Sequence, residues 1–425
     1  MESMKTKAVR IHGKMDLRLE EIELPQVGPD DVQVKIISDS ICMSTYKAAV
    51  EGEEHKRVPN DVAENPTIVG HEFCGEIVKV GSKWANDFKE GQRVSIQPAL
   101  NDPEDIYAAP GYSFKYIGGD ATYVIVPNKV MELGCLLNYT GDAFFYGSLS
   151  EPMACIAGGL HTSWHNVPGH HYAHKMDIVQ NGKMAILAGA GPMGLGAIDY
   201  AIHRDVHPSL LVVTDVDDAR LARAASIYTP EEAKKFGVEL HYVNTACDDP
   251  VGVLRGLTGG KGFDDVFVFA PVKPVVEQGG AILGHDGCLN FFAGPTKTEF
   301  SAEFNFYNVH YDTAHIAGDS GSNIDDVVEV ISMMGSGKVN PASMITHVGG
   351  LDSVVETTLN LPNIKGGKKL IYTHISMPLT AIADFEKLGE TDPMFKKLAE
   401  IVAANNGLWC YEAEKYLLAN AKSID

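Results

Sequence analysis

The sequence predicts an α/β protein of two domains, a small antiparallel β-barrel followed by a doubly wound parallel sheet. Three observations predict it. A chain of 425 residues is too long for one ordinary core. Residues 5–130 carry short apolar stretches cut by Gly, Pro and Asp, whereas from Lys183 continuous apolar runs alternate with helical segments. The two halves therefore follow different structural periods.

In the first half, residues 32–36 (Val-Gln-Val-Lys-Ile) alternate apolar and polar side chains, as a half-buried strand does. Turn residues at 27–31 and 89–92 recur at the spacing of a small antiparallel barrel. In the second half the apolar runs 184–187, 210–213, 265–269 and 287–292 are separated by helix-like segments. Strands buried on both faces with helical crossovers make a parallel sheet. Between the halves, 161–175 holds His161, His165, His170, His171 and His174. With no carboxylate or cysteine at ligand spacing, it reads as a solvent-facing loop. In the tail, Asp392-Pro393 starts a helix, Phe395, Leu398 and Val402 share one face, and Asn406-Gly407 ends it.

Composition removes several functions. A hydrophobic fraction of 45% suits a globular protein, and the formal charge of −21 opposes general affinity for nucleic acid or anionic membrane. Any anionic ligand must then be gripped locally. No run approaches the ~20 apolar residues of a membrane span. The basic amino terminus lacks the apolar core of a signal peptide, so a cytoplasmic location is expected. Seven cysteines, at 42, 74, 135, 155, 247, 288 and 410, form no CxxC pair and do not read as a disulfide framework.

Two constellations carry chemistry. Gly189-Ala190-Gly191-Pro192-Met193-Gly194 lies between an apolar strand and a helical stretch, the setting in which GxGxxG cradles a pyrophosphate at a helix amino end. Asp215 ends the next apolar run, 26 residues after Gly189 against the usual ~20. An acid there favours NAD(H), and Arg220 leaves room for NADP(H). The second constellation is Cys42, His71 and Glu151: a thiolate, an imidazole and a carboxylate that together complete a catalytic zinc site with one open position.

These motifs, in this order, make the chain similar to the zinc-containing medium-chain alcohol dehydrogenases. The likeness rests on Cys42 followed by Ser44, the GHExxGxxxxVG run from Gly70 to Gly81, Glu151-Pro152, and the glycine turn. It implies a co-chaperonin-like catalytic barrel (1–158 and 322–377), a Rossmann domain (159–321) and a helical carboxyl-terminal extension (378–425). Cys42, His71 and Glu151 match the family's ligand positions. Glu72 matches an adjacent outer-sphere or alternate ligand, and Ser44 the proton-relay hydroxyl. Lys47 stands where the family's relay often ends in histidine, so it either touches substrate or leaves the relay to Ser44 and water. Residues 93–130 contain no cysteine, so no structural zinc is expected.

Glutamate as third ligand and the missing cysteine lobe resemble the sorbitol and polyol dehydrogenase branch. The stretch 366–380 and the insert 161–175 look like a bacterial subgroup acting on ketose phosphates. That implies interconversion of L-sorbose 1-phosphate and D-glucitol 6-phosphate by a homodimer or homotetramer. Lys47, Lys115 and Lys297 are the sequence's candidate phosphate contacts, though no motif singles them out. Alternatives are a dehydrogenase of unphosphorylated polyols or amino alcohols, and a zinc- and nucleotide-binding protein without turnover.

Overall fold

Six parallel strands form the core of one of the two units into which the chain folds: β1 Lys183–Leu187, β2 Leu210–Asp215, β3 Glu239–Asn244, β4 Phe263–Val268, β5 Leu283–Asn290 and β6 His315–Ala317. The computed structural model describes residues 4–424, without the side chain of His171. The sheet order is β3-β2-β1-β4-β5-β6, with every pairing parallel. Order reverses beside β1, which places the ligand-binding crevice at its carboxyl end. Ala185, Leu187, Val212, Val266, Val268 and Leu289 interlock in its core. The continuous apolar runs arise because both sheet faces are covered. β3 and β6 had no clear sequence signal. Both lie at sheet edges, and their side chains are mostly half-buried or exposed.

This unit comprises residues 153–322 and 336–340; the other holds the chain to Pro152, Asn323–Gly335 and Pro341 onward. The breaks after 152 and 322 compare with 158 and 321 expected. The first unit is built around the strand Val32–Ile41, which pairs antiparallel with Cys74–Val80, Tyr123–Val126 and Lys368–Tyr372. Val34, Ile36, Ile68, Ile77, Val94, Ile96 and Val124 fill its core.

The Val32–Ile41 strand continues five residues past the apolar alternation, through Ser38-Asp39-Ser40, which are buried. Each polar side chain there has a partner, so the strand survives the loss of hydrophobic pattern. Ser38 Oγ meets Ser148 Oγ at 2.9 Å, Asp39 accepts from the Glu72 N–H at 2.9 Å, and Ser40 donates to Glu72.

The tail helices Pro393–Ala404 and Tyr411–Asn420 lie in the first unit. Asp392 caps the former by accepting from the Met394 N–H at 2.8 Å. Phe395, Leu398, Val402, Trp409 and Leu417 pack with Phe145, Val348 and Tyr372. Glu414 accepts from the Phe144 and Phe145 N–H groups at 2.7 and 2.9 Å, satisfying two of the orphan donors at the amino end of the helix Phe144–Thr162.

The His-rich insert differs in part from expectation: Trp164–Val167 and His170–Met176 form an antiparallel pair rather than a loop, while His170, Tyr172, His174 and Lys175 face solvent as expected. His165 is buried, and its partner carboxylates, Asp265 and Asp286, come from about 100 residues further along the chain. No local spacing announces a partner that distant. Among the described residues, no helix is long and apolar enough to cross a membrane.

Candidate active site

Where the Val32–Ile41 strand ends, Cys42 takes the amino-cap position of the helix Met43–Glu51, with Ser44 in the first turn and Lys47 one turn later. His71 follows Gly70, whose φ of +89° is a conformation that glycine tolerates best. A Cβ at that position would stand 2.5 Å from both the Asp120 nitrogen and Asp39 Oδ2. These two junctions bring Cys42, His71 and Glu72 together, one ligand atom from each lying within 4.8 Å of the others.

Glu72 is fully buried, and both its oxygens are engaged, Oε1 by the Lys368 ammonium and Oε2 by the Ser40 hydroxyl. The sequence motifs do not point to Lys368, a buried lysine that opens the strand Lys368–Tyr372 ahead of a second lysine, Lys369. Loss of solvent would lower the Lys368 pKa, but Glu72 and Cys42 hold it above the ordinary lysine range.

Glu151 lies in the helix Phe144–Thr162 and is 8% exposed. Burial, then the field of Glu72, lifts its carboxyl to about 7, with His71 pulling it back. The Cys42 thiol is pushed up as well, first by loss of solvent, against Lys368. Burial lowers His71, which favours the neutral imidazole that ligates metal. Lys368 balances Glu72. Glu151 is near enough for the charges of His71, Glu72 and Cys42 to act on it, although the tight cluster itself is Cys42, His71 and Glu72. A thiolate, a carboxylate and a neutral imidazole are donors that fit a divalent zinc ion.

Hydroxyls surround the His71 ring. Ser44 Oγ lies 3.3 Å from Nε2, Thr45 Oγ1 3.4 Å from Nδ1, and the Tyr112 hydroxyl 3.4 Å from Nε2. The Tyr112 O–H donates to Ser44 Oγ at 2.9 Å, and its ring centroid is 4.9 Å from that of His71. Burial pushes the Tyr112 phenol well above its ordinary value, so it remains a donor. Tyr112 carried no motif. Its sequence context, Pro110-Gly111-Tyr112, marks only a turn.

In the parallel-sheet unit the glycine turn joins β1 to the helix Pro192–His203. A Cβ on Gly194 would stand 2.0 Å from the Gly189 carbonyl oxygen, whereas one on Gly191 would meet nothing within 4 Å. The third glycine thus allows helix and turn to close, and the second leaves open space at the helix amino end. That cradle fits a dinucleotide pyrophosphate. Asp215, at the carboxyl end of β2, is buried and pairs with Arg220 at 2.6 Å. Lys115 is exposed, with its ammonium 5.5 Å from the Tyr116 ring centroid, and Lys297 is exposed in the parallel-sheet unit.

Comparison with known proteins agrees with both halves of this description. Residues 28–133 match the alcohol dehydrogenase GroES-like domain and residues 192–336 the zinc-binding dehydrogenase domain. The chain is 50% identical over 414 residues to a mannitol-1-phosphate 5-dehydrogenase of Aliivibrio fischeri, covering 97% of each. It is 46% identical over 419 residues to an L-sorbose 1-phosphate reductase of Klebsiella pneumoniae, covering 99% of this chain and 98% of that one. Among solved structures, a 2R,3R-butanediol dehydrogenase from Bacillus subtilis superposes with a TM-score of 0.69 at 22% identity, over 86% of this chain and 99% of that one.

Proposed function

We propose that this chain, which belongs to the zinc-containing medium-chain alcohol dehydrogenase family, transfers hydride between nicotinamide and a ketose phosphate/polyol phosphate pair, foremost L-sorbose 1-phosphate and D-glucitol 6-phosphate. The observation that carries this reading is the charge arrangement around Glu72. Lys368 neutralises that acid and Ser40 fixes it; Cys42 and His71 share its cluster, and Glu151, which feels the charges of both, is the third ligand we assign to a catalytic zinc. The phosphorylated substrate rests on the two relatives, whose names carry sugar-phosphate activities.

When bound, zinc supplies Lewis acidity toward the reacting oxygen, and the nicotinamide donates or accepts the hydride. The remaining work falls to the chain. Tyr112 donates to Ser44, so the Ser44 hydrogen points away from Tyr112; in reduction Ser44 passes that proton to the substrate oxygen and takes another from water, and in oxidation it accepts the substrate's proton as it releases its own to water. Glu72, held by Lys368 and Ser40, keeps the electrostatic field around His71 and Cys42 constant.

Gly191 and the helix amino end receive the pyrophosphate, and Asp215 receives the adenine ribose hydroxyls in competition with Arg220. NAD(H) is therefore favoured. Free cysteines throughout suit a reducing, cytoplasmic setting, and the family expectation is a homodimer or homotetramer. A substrate panel read by nicotinamide absorbance tests the proposal. The expected result is NADH-dependent reduction of L-sorbose 1-phosphate, abolished by a chelator and restored by zinc. Turnover unaffected by complete zinc removal would overturn it.

A further inference from the structure

The chain carries a formal charge of −21, yet one side of the candidate site gathers cations beside two tyrosines, Tyr107 and Tyr112. The His55 ring stacks on Tyr112 at 5.8 Å with an interplanar angle of 12°, and the Arg57 guanidinium lies 5.8 Å from the same ring centroid. Lys56 Nζ is 5.3 Å from the Tyr107 ring centroid. Lys47 reaches this group from the helix that carries Ser44, near enough for its charge to act on both His55 and Cys42. The loop is pinned rather than loose: Ser113 Oγ donates to the Arg57 carbonyl at 2.8 Å and accepts from the Ala109 N–H at 3.0 Å.

The charges of Lys56 and Arg57 are not explained by local ion pairing. Among the described residues neither Lys56 nor Arg57 forms a salt bridge, and Glu54, the acid nearest in sequence, pairs with Lys14 at 2.7 Å. The hydrogen bond from Arg57 Nη1 to the Tyr107 carbonyl, at 3.2 Å, uses one of its five side-chain N–H groups. Burial and the fields of Arg57, Lys56 and Lys47 hold His55 down at about 4, so its ring stays neutral. It accepts from the Arg57 N–H through Nδ1 at 3.2 Å, which leaves Nε2 carrying the hydrogen. The group thus presents one guanidinium, two ammoniums and a neutral N–H donor. Its link to the chemistry is direct, because Tyr112 also donates to Ser44 and packs on His71.

We propose that Lys47, Lys56 and Arg57, brought together beside Tyr107, Tyr112 and the His55 Nε2–H, form the subsite that binds the phosphate of the substrate. A phosphate monoester is close to a dianion at neutral pH and offers three strong acceptor oxygens, which a guanidinium fork and flexible ammoniums satisfy together. Local cations are needed because the net charge of the chain repels such a ligand. This assignment rests on the phosphorylated-substrate reading above. It explains how a family built for neutral alcohols accommodates a charged ester without a new domain.

The test compares kcat/KM for L-sorbose 1-phosphate and L-sorbose, with NADH, in the zinc-loaded full chain, its Lys56→Gln/Arg57→Gln double variant and Arg57→Lys. The wild type should prefer the ester. In the double variant the preference should shrink about 10- to 100-fold for each cation removed, while Arg57→Lys should restore part of it. Inorganic phosphate should inhibit the wild type competitively and the double variant far less. A strong wild-type preference that survives in the double variant overturns the subsite while the substrate reading stands. A wild-type ratio near one overturns the substrate reading, and the subsite with it. Should the double variant lose zinc, the single Lys56→Gln variant is measured by the same ratio: a reduced preference supports the subsite, and an undiminished one overturns it.

Discussion

Among the described residues two clusters bring three metal-type side chains within 4.8 Å of one another, yet their surroundings have opposite chemistry: Cys42, His71 and Glu72 in one unit, and His165, Asp286 and His315 in the other. The nitrogens of His71 face hydroxyls, which donate or accept as required. A neutral ring can stand there and turn a lone pair to a metal. Around the second cluster every facing atom is an acceptor. His165 meets the Asp286 carbonyl at 2.9 Å and Asp265 Oδ1 at 3.1 Å; His315 meets the Thr313 and Trp164 carbonyls at 2.8 and 2.5 Å. A neutral imidazole has one N–H, so satisfying two acceptors requires a hydrogen on both nitrogens. Burial alone would lower the His165 pKa, but its bonds to Asp265 and Asp286 carry it above the ordinary histidine value. Proximity of ligand-type groups therefore does not identify a metal site. What their other atoms face decides it.

The largest effect that separates the clusters is loss of metal. Cys42→Ala or His71→Ala should abolish zinc binding and lower kcat/KM by at least about 10³-fold, taking an effect comparable to losing an entire catalytic function. His165→Gln should retain its zinc, as read by metal analysis of the purified chain. Zinc lost from the His165 variant alone would reverse the assignment.

Next in size is the hydroxyl network. Ser44→Ala should reduce kcat by about 10²- to 10⁴-fold, the usual range for a positioned proton-transfer group. Tyr112→Phe should cost about 10-fold, as the loss of one hydrogen bond near 1.4 kcal/mol. A smaller loss at Ser44 than at Tyr112 would invert the order of the relay.

A smaller change tests what holds Glu151 in place. Glu414→Gln turns an amide NH2, which cannot accept, toward one of the two helix N–H groups, and should destabilise the protein by about 1–3 kcal/mol in urea unfolding. Burial lifts the Glu414 carboxyl to about 7 despite those donors. With a folded value above the unfolded one, its contribution to stability is fully present below about pH 4.5 and declines as the pH rises through 7. The gap between wild type and variant should therefore narrow from pH 5 to 8.

The smallest expected effect is the pH dependence of the second cluster. His165 has a raised folded pKa, so its stabilisation is present below about pH 6.5 and is lost as the pH rises through that higher value. The difference in urea midpoint between wild type and His165→Gln should shrink between pH 6 and 9. A difference that grows across that window would show the ring to be neutral.

Much of the fold was readable because it depends on local period. The runs at 184–187 and 210–213 became β1 and β2, and Asp392-Pro393 capped the helix expected there. Edge strands β3 and β6 were not, since they bury too little to leave an apolar run. The strand from Val32 runs longer than its apolar pattern because partners from elsewhere, Glu72 and Ser148, make Ser38, Asp39 and Ser40 tolerable inside. The insert 161–175 departs from the expected loop for the same reason, its carboxylate partners lying far along the chain.

By itself the sequence determined which residue types are available for chemistry: the glycine turn at 189–194, the thiol–serine pair at 42 and 44, and the acids at 72 and 151. These are chemical identities at fixed spacing, and spacing survives in one dimension. Only the tertiary structure decided how they divide the work. Lys368 arrives from 296 residues away to neutralise Glu72, Tyr112 to orient Ser44, and Arg57 and Lys56 to set positive charge over Tyr112 and Tyr107. Buried charge is governed by its nearest neighbours in space, because low local dielectric strengthens every contact there, and those neighbours are set by the fold.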